Sequence, residues 1–335
     1  MSSNPLARGH RAVLTESAPL DAEHRPTPGS IAIGPDPSEL FETAVQEAGG
    51  TLGPVGDDTR GLMWLSHTSI DELDEVLTSH PGIEWVQLPM AGVDMFADVM
   101  AKYADRPKPL WTSAKGAYSE PVAEHALALT LALLRVFPER VRAETWSRVP
   151  KGISLYGLNV VIVGAGGIAL EIMRLLEPFD TSITIVRRST TPVEGADRTV
   201  AASSLTEVLP DADVVIVAAA MTTDTAKMFG DKEFRAMKST AVFVNIARGG
   251  LVDTDALVAA LDAEEIWGAG LDVTSPEPLT DGHPLWTNPR ALITPHQADT
   301  PEMTAPLLAE RIRHNVRALA GDGDFIGVVD PAAGY

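Results

Sequence analysis

The sequence predicts an α/β protein of two doubly wound, parallel-sheet domains with a cleft between them. Three observations predict it. Short β-branched or apolar runs alternate with helix-period segments between residues 31 and 294, the pattern of strands covered on both faces and joined by crossover helices. A glycine-rich turn, Gly164-Ala165-Gly166-Gly167-Ile168-Ala169, separates the apolar run Val160, Val161, Ile162, Val163 from helix-period residues Ile168, Ile172, Leu175 and Leu176. The length of 335 residues allows two domains, each large enough for its own core.

Residues 1–28 are polar, rich in Pro, Ser and Arg, and lack periodicity; a mobile tail is expected there. Strands at 31–33, 61–65 and 84–88 alternate with helices at 37–48 and 70–77, giving a first, flavodoxin-like domain over 29–120 that the chain rejoins at 297–335. A long helical stretch follows over 118–146, apolar nearly all round in its first half and broken or bent at Pro138. Its second half is expected to make a subunit or domain contact. The second, Rossmann-like domain spans 121–296, with strands at 160–163, 183–186, 212–218, 241–246, 267–272 and 291–294 and helices at 205–209 and 253–261. A closing helix occupies 301–319.

Composition narrows the function. Lys+Arg 26 against Asp+Glu 46 leaves a net charge of −20, so neither nucleic acid nor an anionic membrane is expected as a partner. The absence of cysteine excludes disulfides, thiolate catalysis and cysteine metal ligands together. Residues 1–30 contain no apolar targeting core, and no run reaches the length of a membrane helix; a cytoplasmic protein is expected. Glu124 and His125 are adjacent and point to different helix faces, which argues against a metal pair. No metal is expected.

The glycine turn fits G-x-G-x-x-G/A between strand and helix, the pyrophosphate-binding form. Gly164 permits the turn, Gly166 lets the backbone approach, and Ala169 is small where helix meets strand; Gly167 and Ile168 open the helix whose free N–H groups favour an anion. A dinucleotide is therefore expected here. Its type is read at the end of the next strand, where an acid would bind a ribose 2′-hydroxyl. The residue 187 − 164 = 23 positions beyond the first glycine is Arg187, followed by Arg188 and Ser189. With Thr190 next, two guanidinium groups beside two hydroxyls suit a 2′-phosphate, so NADP(H) is expected to be preferred over NAD(H).

Three further sites share one property. Arg248, the acids Asp272 and Glu277, and His296 each follow a strand's carboxyl end in the second domain, the edge where ligands bind in such sheets. In the first domain Gly92 holds the same kind of position, and its N–H with that of Val93 can take a carboxylate; a glycine serving only the turn is the competing reading.

With these residues in view, the chain resembles the D-isomer-specific 2-hydroxyacid dehydrogenase family over residues 31–319. The resemblance rests on GAGGIA at 164–169, NIARGGLVD at 245–253, GAGLDVTSPEPL at 268–279 and TPHQA at 294–298, supported by QLPMAGVD at 87–94 and VAEHALAL at 122–129. It implies Arg248 as the catalytic arginine, Glu277 as the acid and His296 as the proton-transferring histidine. It also implies Asp272 near the nicotinamide carboxamide, with Thr222 and Ala247 among the cofactor contacts and Gly92, Val93, Arg248 and His296 around the substrate. The implied reaction reduces a small 2-oxo acid to a 2-hydroxy acid. Arg248 polarises the carbonyl and holds the carboxylate, while His296 supplies the proton because an imidazole ordinarily titrates near neutrality. Glu277 orients the ring. A homodimer is the implied assembly.

Departures from the family pattern include Arg187 for the usual acid, Ala220 for a frequent proline and Gln297 after the histidine. The family also includes dinucleotide-responsive corepressors, so a sensor without significant turnover is the alternative.

Overall fold

The computed structural model describes residues 19–331. Of the tail expected over 1–28, residues 1–18 lie outside the described residues. Residues 19–28 form a turn and extended chain. They are held by Arg25 Nη2 donating to Gly323 O (2.5 Å) and by the N–H and hydroxyl of Thr27 donating to Glu84 Oε2 (2.7 and 3.0 Å).

The chain divides into two compact units, one of residues up to Tyr118 and from Thr300 onward, the other Ser119–Asp299. The first begins with β1 (Ser30–Gly34), α1 (Glu39–Glu47), β2 (Thr59–Trp64), α2 (Ile70–Ser79), β3 (Trp85–Gln87), α3 (Ala97–Ala101) and β4 (Leu110–Thr112). These strands form a parallel sheet in the order β1-β2-β3-β4. One parallel bridge, Ile31 to Leu52, adds a residue on the outer side of β1. The chain therefore moves outward from β1 before crossing back to β2. That is the flavodoxin-like order with its second strand reduced to a single bridge.

Alternation along these strands sends side chains to opposite faces. Ile31, Met63, Trp85 and Leu110 pack with Phe41, Ala44 and Val45 of α1. Leu62, Trp64, Val86 and Trp111 pack with Leu73 and Leu77 of α2 and Val99 and Met100 of α3. At about 1.5–3 kcal/mol for each large apolar side chain buried, two such layers stabilise even strands of three residues. β4 was not foreseen from the sequence, since Leu110-Trp111-Thr112 is too short to display a period.

The second unit contains α4 (Ser119–Leu134), α5 (Phe137–Arg140), β5 (Asn159–Val163), α6 (Gly167–Leu176), β6 (Ser182–Arg187), β7 (Arg198–Ala201) and α7 (Leu205–Val208). It continues with β8 (Val214–Val217), α8 (Asp231–Ala236), β9 (Val242–Asn245), α9 (Thr254–Asp262), β10 (Gly268–Leu271), α10 (Pro284–Thr287) and β11 (Ala291–Ile293). All seven strands are parallel, in the order β11-β10-β9-β8-β5-β6-β7. The order reverses between β5 and β8, which is the Rossmann topology with one strand added beyond its sixth. β5, β8, β9 and β10 are buried along nearly their whole length, as strands covered on both faces must be. β7, α8 and α10 were not expected from the sequence.

The helix expected over 118–146 is shorter than that. α4 ends at Leu134, Val136 turns left-handed (φ 58°), and α5 restarts for one turn with Pro138 in its first positions. The reason is a missing donor. Pro138 has no N–H for the Leu134 carbonyl, and the N–H of Ile153 takes that oxygen instead at 2.9 Å. Beyond Arg140, residues 141–158 form turns and irregular chain.

After β11 the chain returns to the first unit through α11 (Pro301–Leu319), which packs Leu307, Leu308, Ile312 and Val316 onto the layer of α1. Arg311 of α11 is fully buried; its Nη1 donates to Ser113 O at 3.4 Å, and burial pulls its guanidinium down to about 10. Among the described residues no helix is long and apolar enough to cross a membrane.

Candidate active site

The glycine turn follows β5 at the switch point of the larger sheet. Gly164 has φ +118°, and a Cβ there would stand 2.4 Å from Ala218 O, so both conformation and space demand glycine. Ala169 is fully buried, the close helix-to-strand contact its size permits. Gly166 is exposed, has open space where a Cβ would project, and caps α6 without any side-chain hydrogen bond. The first N–H groups of that ten-residue helix, at Gly167 and Ile168, have no intrahelical acceptor and face the end where an anion is favoured. These features fit a dinucleotide pyrophosphate.

Pairing of Val163 with Val186 and the hydrogen bond from Gly164 N to Val186 O (2.8 Å) set the turn beside the end of β6. Arg187 is the last residue of that strand, and Arg188 and Ser189 follow it as exposed residues. Thr222 lies in the loop after β8, its N–H donating to Thr225 Oγ1 at 2.8 Å. Gly92 and Val93 belong to the other unit, in the loop after β3, where the Val93 side chain is buried in that unit's core.

Arg248, Asp272 and His296 follow β9, β10 and β11, which are neighbours in the sheet. Adjacent strands lie about 4.8 Å apart, so the outer two of these carboxyl ends are separated by roughly 10 Å. Arg248 is half-buried; its Nη1 donates to Ala247 O (2.8 Å), and its own carbonyl accepts from Asn245 Nδ2 (2.9 Å). Asn245 Oδ1 also accepts from Ala247 N at 3.1 Å, so the buried asparagine closing β9 shapes the arginine-bearing turn.

His296 and Glu277, 19 residues apart, are joined through His296 Nδ1 and Glu277 Oε1. A carboxylate accepts, so Nδ1 carries the proton and Nε2 is left for a reacting group. The ring is accessible, with 46% of the His296 side chain exposed and 40% of Glu277. His296 also has φ +50°. A left-handed non-glycine residue costs about 1–2 kcal/mol and persists only where its surroundings impose it.

Asp272 imposes it. This residue is 2% exposed; its carbonyl accepts from His296 N (2.6 Å), Oδ1 accepts from Gln297 N (2.9 Å) and Thr294 Oγ1 (2.7 Å), and Oδ2 accepts from Ala298 N (3.2 Å). Hydrogen bonds to a charged group contribute about 1.5–3 kcal/mol each, so the clamp outweighs the strain of one left-handed residue. Burial pushes the Asp272 carboxyl up, but hydrogen bonds from His125, Thr294 and the Gln297 N–H outweigh it and hold the group below the ordinary carboxylate value.

Two residues in this region carried no role in the sequence. His125, from α4, places Nε2 2.7 Å from Thr294 Oγ1 and 3.4 Å from Asp272 Oδ1. Asp299 closes the unit, and burial raises its carboxyl pKa, with the Asp272 charge adding to the rise and His296 and His125 opposing it. His125 lies 169 residues from Thr294, so no local pattern joins them.

Residues 127–298 match the family described as D-isomer specific 2-hydroxyacid dehydrogenase, NAD binding domain. The chain belongs to the D-isomer-specific 2-hydroxyacid dehydrogenase family. Members of this family are NAD(P)-dependent oxidoreductases acting on the CH–OH group of 2-hydroxy acids. A Corynebacterium melassecola relative, an uncharacterized protein in the proB 3′ region, is 37% identical over 258 residues, 76% of this chain and 84% of that protein. The glyoxylate reductase of Pyrococcus furiosus is 32% identical over 274 residues, covering 78% of this chain and 79% of that one. Among solved structures, a D-isomer specific 2-hydroxyacid dehydrogenase of Xanthobacter autotrophicus Py2, crystallised with NADPH and MES, superposes with a TM-score of 0.75 at 24% identity. It covers 92% of this chain and 100% of its own; at that identity the likeness is one of fold. Family membership accounts for the glycine turn at the switch point and for a polar edge on β9, β10 and β11.

Proposed function

We propose that the protein is an NADPH-preferring reductase of small 2-oxo acids such as glyoxylate or hydroxypyruvate. The observation that carries this reading is the Glu277–His296 pair, on the same sheet edge as Arg248 and the glycine turn. When bound, the nicotinamide supplies the hydride for the carbonyl carbon. Arg248 holds the substrate carboxylate and draws negative charge onto the carbonyl oxygen. His296 delivers its Nε2 proton to that oxygen, and Glu277 keeps the ring oriented and offsets its positive charge. In the oxidative direction the neutral ring accepts the hydroxyl proton. The P. furiosus relative, named a glyoxylate reductase, supports a small substrate.

Preference for NADPH rests on Arg187, Arg188 and Ser189 at the end of β6, where a carboxylate would repel a 2′-phosphate. The segment after α4 exposes Phe137, Val141, Trp146 and Tyr156, and we read it as the contact of a homodimer. Light scattering on the purified protein should report twice the monomer mass; a monomer would remove that part of the reading.

Steady-state assays over a panel of 2-oxo acids with NADPH and NADH test the function. Turnover with small 2-oxo acids and a higher kcat/KM for NADPH is expected. NADPH binding without turnover on any of them would leave a dinucleotide sensor instead.

A further inference from the structure

Resting on the functional reading above, the geometry points to His125 as a positioning residue: through Thr294 it fixes the Asp272 carboxylate that holds the His296-bearing turn in its reactive conformation. Thr294 has one hydroxyl proton, and it is donated to Asp272 Oδ1 at 2.7 Å. Thr294 Oγ1 itself lies 2.7 Å from His125 Nε2, so with its proton already given to Asp272 it must accept there, and His125 must carry its proton on Nε2. That N–H also faces Asp272 Oδ1 at 3.4 Å. Oδ1 thus meets His125, Thr294 and Gln297 N, while Oδ2 takes Ala298 N. Both carboxylate oxygens are committed to the residue 294–298 turn and its buttress.

The need for such a buttress is visible in the backbone. His296 is one of five described non-glycine residues with positive φ, and its N–H is held by Asp272 O while the next two N–H groups are held by the Asp272 side chain. A carboxylate free to rotate about its own side-chain torsions would release Gln297 and Ala298 together. His125 and Thr294 approach it from α4 and from the end of β11 and restrict that rotation. The His125 side chain is 20% exposed and that of Asp272 2%, so the contact is largely shielded from water. Misplacing a reacting group by about 1 Å can cost on the order of 100-fold in rate.

The test compares His125→Leu, which removes the donor, with His125→Gln, whose amide nitrogen can reach the same acceptor, and with Thr294→Val, which removes the relay at nearly constant volume. In the parent, kcat, KM for the oxo acid, NADPH affinity from fluorescence titration and amide exchange at Gln297 and Ala298 are measured first. For His125→Leu and Thr294→Val we expect kcat to fall about 10- to 100-fold, NADPH affinity to stay within about twofold, and exchange at the two amides to accelerate in the cofactor-free protein. His125→Gln should recover most of the rate and the protection. A kcat unchanged in both His125→Leu and Thr294→Val, a loss in His125→Gln equal to that in His125→Leu, or a parallel loss of NADPH affinity would overturn the assignment. If His125→Leu does not fold, Thr294→Val carries the test alone. A parent with no turnover on any 2-oxo acid would refute the functional reading itself, an outcome separate from a working parent that tolerates all three changes.

Discussion

Glu277 and His296 lie on the loops after two adjacent strands, and the carboxylate of the first accepts a hydrogen bond from Nδ1 of the second. The ring is thereby left with one nitrogen for chemistry, and the tautomer follows from the partner. His296→Ala should lower kcat by about 10²–10⁴-fold while NADPH still binds. Glu277→Gln should lose less, because an amide still orients the ring but does not balance its charge. Single-turnover rates beside fluorescence titration measure both; equal rates in parent and His296→Ala would remove the histidine from the reaction.

Arg187 ends β6 next to the glycine turn. Replacing it by Asp substitutes a negative group at the position read as phosphate-binding. The ratio of kcat/KM for NADPH over NADH should fall at least about tenfold, as expected when a charge-assisted hydrogen bond of about 1.5–3 kcal/mol is lost. An unchanged ratio would place the discrimination elsewhere.

Gly164 combines φ +118° with a Cβ position 2.4 Å from Ala218 O. Gly164→Ala should therefore destabilise the second unit by more than about 1 kcal/mol and weaken dinucleotide binding beyond what the stability loss explains. Thermal melts with and without NADPH check this: the parent should gain stability from the cofactor and the variant should gain much less.

Asp299 titrates above its ordinary value of 3.8 because burial opposes its charge, with Asp272 adding and His296 and His125 subtracting. Between 3.8 and the raised value the unfolded chain has released a proton that the folded chain keeps, so this residue's contribution to stability falls as pH rises through that interval. Asp299→Asn should be near neutral in stability at pH about 4 and stabilising at pH about 7. Melting temperatures at the two values decide it; the same difference at both would show that folding does not raise the carboxyl pKa. Asp272 is shifted the other way, so its contribution is present above 3.8 and lost in acid.

Arg248 should behave differently from the histidine. Arg248→Lys retains charge but not the planar pair of donors suited to a carboxylate, and a raised KM for the oxo acid with a reduced kcat is expected. NADPH affinity should be unaffected.

Much of this molecule was legible in one dimension. Strands buried on both faces read as apolar runs, so β5, β8, β9 and β10 could be found without coordinates, and the glycine turn was recognisable because each of its positions answers a steric demand. Arg248, Glu277 and His296 could be proposed because parallel strands put their carboxyl ends on one edge whatever the intervening length. The helix through residue 146 could not be judged from periodicity alone, since its end depends on whether the Leu134 carbonyl finds another donor, and Ile153 supplies it.

Local sequence determined the chemistry available: which side chains end which strands, and that a dinucleotide turn lies among them. Tertiary structure decided how one of those side chains is aimed. His125, Asp272 and Thr294 meet only after α4 has packed beside the sheet, and the left-handed backbone at His296 exists because a buried carboxylate holds the amides that follow it. Hydrogen bonds between residues more than a hundred positions apart leave no periodic trace in a sequence, because their geometry is set by strand order rather than by spacing along the chain.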